Sequence, residues 1–83
     1  MSRRVELPNG ISSFRDLIDR WPSAAAFARD AGANEDSGRI WYRRDRVPER
    51  YRLVVVSLAA EKGIVLTTTG FDELRRRGAG VGK

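Results

Sequence analysis

Ser23-Ala24-Ala25-Ala26-Phe27-Ala28-Arg29-Asp30-Ala31-Gly32-Ala33-Asn34-Glu35-Asp36-Ser37-Gly38-Arg39-Ile40-Trp41-Tyr42-Arg43-Arg44 reads as two helices joined by a tight turn. Ser23, after the helix-stopping Pro22, is an N-cap whose side-chain oxygen can accept from a free backbone N–H of the first turn. Ala24 to Ala31 is alanine-rich, the best helix-forming composition, and Gly32 ends it. Asn34 is a second N-cap, and Glu35 and Asp36 stand in the first turn, where the helix dipole favours negative charge. The second helix then runs through Trp41 to about Arg44. Phe27, Ala31 and Trp41 are expected to face inward, and Ala28 is small enough to let the two helices touch. This is the order of a helix-turn-helix, although an ordinary helix pair in a small bundle has the same spacing.

Working outward, Ser13 stands three residues before Asp16 in a capping-box arrangement. Phe14, Leu17, Ile18 and Trp21 follow at i, i+3, i+4 and i+7, one apolar stripe of a first helix that Pro22 stops. Downstream, Val47 precedes Pro48 and is pushed to extended geometry, which breaks the chain between helices. Pro48 fits the first turn of a fourth helix reaching Lys62 and ending at Gly63. Leu53-Val54-Val55-Val56 alone would suit a buried strand; the length of the segment and its Pro and Gly boundaries favour helix. Most of its aliphatics are expected in the core. Residues 64–68 read as extended, and Thr69, three residues before Asp72, is expected to cap a short last helix from Phe71 to Arg77. The layout is thus an N-terminal arm over residues 1–11, with a turn at Pro8-Asn9-Gly10 and room for a short strand around Val5 and Leu7. A domain follows over 12–77, and then a glycine-rich flexible tail over 78–83.

The chain has 83 residues, room for one domain with a modest core. It has no Cys and no His, which removes disulfides, thiol nucleophiles, Cys/His zinc sites and the usual imidazole base. An enzyme is the least expected class. The longest charge-free apolar run, Leu53 to Ala60, is too short to cross a bilayer, and Met1 to Glu6 lacks the apolar stretch of a secretion signal, so a cytoplasmic location is expected. Sixteen basic residues against eleven acidic give a net charge of +5. The excess is concentrated in residues 39–52, where six arginines face only Asp45 and Glu49. A basic block beside a roughly neutral first half is the footprint of a polyanion-binding surface, and equally of a solvated helix face.

Trp41-Tyr42-Arg43-Arg44-Asp45-Arg46-Val47-Pro48-Glu49-Arg50-Tyr51 closely resembles the end of the recognition helix in Cro-type, lambda-repressor-like regulators, above all their small prophage branch. There a tryptophan, basic residues, a further arginine and Ile/Val-Pro recur in this order. Ala24 to Gly32 resembles the second helix of the family, and the likeness covers roughly residues 13–63. It implies an all-α fold, a compact lambda-repressor-like domain of four to five helices, here with a short extended segment near its C-terminus. It also implies operator DNA as ligand and a role as transcriptional repressor or activator. Carried over position by position, the base-reading residues fall on Glu35, Asp36, Arg39, Ile40 and Arg43. In such a helix Arg39 and Arg43 each suit a guanine, Ile40 a thymine methyl, and Glu35 or Asp36 a cytosine amine, or else these two acids serve only the helix dipole. Ser23, Tyr42, Arg44, Arg46 and Arg50 are the expected phosphate contacts. Gly38 departs from the pattern, standing where the family places a buried Val or Ile. It is expected to leave a gap, so that either Ile40 turns inward or the helix starts later. Trp21 and Trp41 are expected in the core.

The implied partner is a double-stranded, palindromic operator bound by a homodimer, whose contact surface would come from the fourth and fifth helices or residues 64–68. No cofactor, metal, membrane or small-molecule ligand is implied. Two other classes compete: a protein-interaction module such as an antirepressor, and a non-specific RNA or single-strand binder driven by the basic tail. The last expects exposed aromatics between the basic residues, and few remain once the core is filled.

Overall fold

Residue 7 and residues 10–81 are described in a computed structural model, with side chains through Arg77. Five α-helices follow one another: α1 (Phe14–Ile18), α2 (Ala24–Asp30), α3 (Glu35–Arg44), α4 (Arg52–Glu61) and α5 (Thr68–Val81), with one 3-10 turn at Glu49–Tyr51 between α3 and α4. Among the described residues there is no strand. The domain is all-α, as expected.

Local chemistry sets most of the boundaries. The side chains of Ser13, Ser23 and Asn34 accept from the backbone N–H of Asp16, Ala26 and Ser37, so each of the first three helices starts at its expected cap. The Asp16 carboxylate reaches back one residue further than a capping box requires, accepting from the backbone N–H and the hydroxyl of Ser12. The Ser12 backbone donor, then its hydroxyl, hold the Asp16 carboxyl below its ordinary range. At the helix ends, Gly32 and Gly63 take left-handed backbone, and the two residues beyond each helix bond back to its last turn. The third helix ends in the same way with Asp45 in the left-handed position (φ 56°), the one non-glycine at positive φ among the described residues.

Four rings run in contact through the middle of the molecule, the first two contacts edge to face and the third tilted. Trp21 meets Phe27 at 4.8 Å between centroids, Phe27 meets Trp41 at 6.1 Å, and Trp41 meets Tyr51 at 4.9 Å. Both tryptophans are thus core residues, and Trp21 satisfies its indole N–H on Asp30 at 2.9 Å. A second centre pairs Phe14 of α1 with Phe71 of α5, both fully buried. Each such ring contributes about 1.5–3 kcal/mol by leaving water.

The structure corrects the expected outline in five places. The segment after Pro48 opens as a 3-10 turn, and α4 proper begins at Arg52. Its aliphatics divide by helical period: Val55, Leu58 and Ala59 are buried, whereas Leu53 and Val54 lie 68% and 40% exposed. The last helix starts earlier and runs longer than Phe71–Arg77. Thr67, not Thr69, accepts from the N–H of Gly70, and the helix continues to Val81, so the flexible tail expected from Gly78 is helical as far as it is described. A helix already packed through Phe71 and Leu74 need only propagate, which adds one hydrogen bond per residue without a new nucleus. The extended stretch shortens to residues 64–67, with Ile64 and Leu66 buried and Val65 pointing out. Within the expected N-terminal arm, Ile11 is buried and Leu7 packs on the core beside Gly70. The turn at Pro8-Asn9 and the strand near Val5 lie outside the described residues, as do residues 82–83.

Candidate nucleic-acid interface

Helix α3 is held in place by contacts that leave one side of it open. Its inward side carries Gly38 and Trp41, both buried. A Cβ at Gly38 would stand 2.2 Å from the Ala24 carbonyl oxygen and 2.8 Å from the Ala28 methyl carbon of α2. The expected gap is therefore absent: α2 fills it with its own backbone. Neither of the two anticipated adjustments occurs. The helix begins at Glu35, directly after the Asn34 cap, and Ile40 stays on the outside, 38% exposed.

The C-terminal end of α3 is latched to α1 by Arg15. Its guanidinium donates to the Tyr42 and Arg43 carbonyl oxygens at 2.8 Å each, in the last turn of the helix, where the Tyr42 oxygen also accepts from the Asp45 N–H. In return the Asp45 carboxylate accepts from the Arg15 backbone N–H at 3.0 Å. The Tyr42 hydroxyl donates to Asp19 at 2.9 Å, and this bond to a carboxylate raises the Tyr42 pKa above its ordinary value. Neither Arg15 nor Asp19 was among the expected site residues. Arg15 left no local signal, since its partners are backbone atoms far along the chain.

On the open side stand Glu35, Asp36, Arg39, Ile40 and Arg43, all exposed. Their charges are partly compensated. Glu35 pairs with Arg29 of α2, and Asp36 with Arg39 one turn on, both at 2.8 Å. Exposed pairs of this kind are worth at most about 1 kcal/mol, so Arg39 is readily released to another acceptor. Arg43, Arg44 and Arg46 have no carboxylate partner among the described residues, and Arg50 lies over the Tyr51 ring at 5.3 Å.

Two shallow hollows flank this ridge. One is bordered by Arg15, Ala24, Arg39, Tyr42 and Arg43, and passes by way of Ala24 and Tyr42 into a depression beside Ser23. The other is lined by Ile40, Trp41, Arg44, Arg46 and Pro48, together with Glu49 and with Arg75 of α5. The expected residues thus gather on and beside one helix, with Arg50 apart from both hollows. Ser23 is exposed, but its hydroxyl oxygen already caps α2. Among the described residues no cluster of acidic side chains has the arrangement of a metal site, and no helix is long and apolar enough to cross a membrane.

Compared with known proteins, the chain matches no family model, no curated protein and no solved structure.

Proposed function

We propose that the protein is a sequence-specific double-stranded-DNA-binding transcriptional regulator, a repressor acting as a homodimer, whose helix α3 reads the major groove. The observation that carries the proposal is the open side of α3. It presents Arg39, Ile40 and Arg43 along one face, flanked by Arg44 and Arg46, which have no carboxylate partner among the described residues, on a helix whose opposite side is pressed against α2. An α-helix fits the major groove, and a guanidinium in that position can donate two hydrogen bonds to guanine O6 and N7. The arginines at the helix end suit the sugar-phosphate strands that border the groove. Leu53 and Val54, exposed on α4, supply the apolar surface that a second copy would cover.

Selection of bound duplexes from a random DNA pool tests this directly. An enriched inverted repeat is expected. Arg39→Ala and Arg43→Ala should each cost about 1–3 kcal/mol at particular base pairs, whereas Arg46→Ala should weaken all duplexes alike. No enrichment at all, or uniform losses from all three substitutions, overturns the proposal. Capture of protein without DNA would favour the interaction-module reading, for which exposed Leu53 and Val65 are the supporting surface.

A further inference from the structure

The cleft on the Arg44 side of α3 is not explained by base reading, and it contains a residue with no place in the recognition helix. Arg75 reaches it from α5, more than 30 positions further along the chain. Its side chain is 25% exposed, its Nε is buried without an acceptor, and its nearest carboxylate, Glu49, lies 4.0 Å away, beyond hydrogen-bond reach. Glu49 is also shared with Arg52, which is itself bonded to Asp72. Three arginines, Arg44, Arg46 and Arg75, therefore line a cleft with one divided carboxylate, together with Ile40, Trp41 and Pro48. Such a cleft attracts an anion, and its position says which one. A helix is about 10–12 Å across with its side chains, about the width of the major groove, so one sugar-phosphate strand must run along each flank.

Resting on the DNA-binding proposal above, we infer that this cleft is a backbone-phosphate site and that Arg75 of α5 is a phosphate-binding residue, gripping the strand on the Arg44 flank of α3. The last helix thereby takes part in holding DNA. Arg75 contributes affinity and register without sequence preference, since a phosphate is the same at every step. Glu49 opposes the phosphate and limits its binding.

The test is a salt titration of duplex affinity for the full chain and four variants, on the selected site and on random duplex. Arg75→Gln should weaken both by a similar factor, about 3- to 10-fold at 0.1 M salt, and reduce the slope of log K against log salt by about one. Arg75→Lys should restore most of the slope, which a merely structural role for the arginine would not. Arg76→Gln removes the same charge from the same helix but lies outside the cleft, paired with Glu73; it should change the slope by much less. Glu49→Gln should strengthen binding, an effect that damage to the fold cannot imitate. If Arg75→Gln and Arg76→Gln behave alike, or Glu49→Gln weakens binding, the inference is overturned while duplex recognition stands. If the wild-type chain binds no duplex, the proposed function falls with it.

Discussion

Helices α3 and α4 are each ten residues long, and they are secured in opposite ways. The third has a side-chain cap at its start, a left-handed aspartate at its end, and two of its last carbonyls taken by an arginine from another helix. The fourth has no side-chain cap at its start, and a left-handed glycine, Gly63, stands just past its end. Apart from Arg52, which is bonded to Asp72 of α5, it is held by Val55, Leu58 and Ala59, and it shows aliphatic side chains to solvent. Directional hydrogen bonds and a backbone-to-backbone contact fix rotation and depth, whereas apolar burial fixes little more than which face turns inward. A helix that must present particular donors to a ligand needs the first kind of anchoring. One whose outer face only has to be covered can do with the second.

That contrast can be broken most severely at Gly38. A methyl group there must displace the α2 backbone, so Gly38→Ala should cost at least about 2 kcal/mol net, even after the roughly 1 kcal/mol that alanine gains in helix propensity. For a domain this size that is a fall of about 8–16 °C in Tm, visible in a thermal melt. Unchanged stability would mean that α2 and α3 are not in register. Arg15→Ala comes next, with a loss of about 1–2 kcal/mol for two exposed charge-assisted bonds, and with faster amide exchange expected at the end of α3. If the loss appears at the end of α4 instead, the latch is misassigned.

A smaller effect should follow from alkali. The folded pKa of Tyr42 is raised by its bond to Asp19, so the stabilisation is complete below the ordinary tyrosine value near 10 and is lost as pH rises through the higher folded value. Phenolate absorbance should show one late-titrating tyrosine, absent in Tyr42→Phe. The smallest change in stability should come from Leu53→Lys on the open face of α4, within about 0.5 kcal/mol for the monomer. For the proposed homodimer, sedimentation should nonetheless show weaker self-association. A large drop in Tm would place Leu53 in the core.

The starts of the first three helices were legible because an N-cap is a conversation between residues two or three apart, as at Ser13, Ser23 and Asn34. The last helix was misjudged because three threonines stand in a row, and only the docking of Phe71 and Leu74 decides which of them is the cap. Gly38 was visible as an anomaly, but its sign was reversed. A missing side chain reads as a hole until the neighbouring backbone is seen to occupy it. Arg15 and Arg75 were out of reach for a related reason: each acts across the fold, and an arginine facing a distant carbonyl or a cleft has the same local sequence as one facing water. The exposed arginines of α3, whose spacing alone determines their common face, were the easiest part of the candidate site to find.

On the proposed role of α3 in reading DNA, the contact at Gly38 has a bearing on how such a protein could acquire a different target. Because a carbonyl of one rod rests directly on the spine of the other, the second rod is seated against a stop, and exchanging the three groups at positions 39, 40 and 43 does not reseat it. New preferences can then arise by swapping tips on a fixed mount, with no retuning of the scaffold behind them.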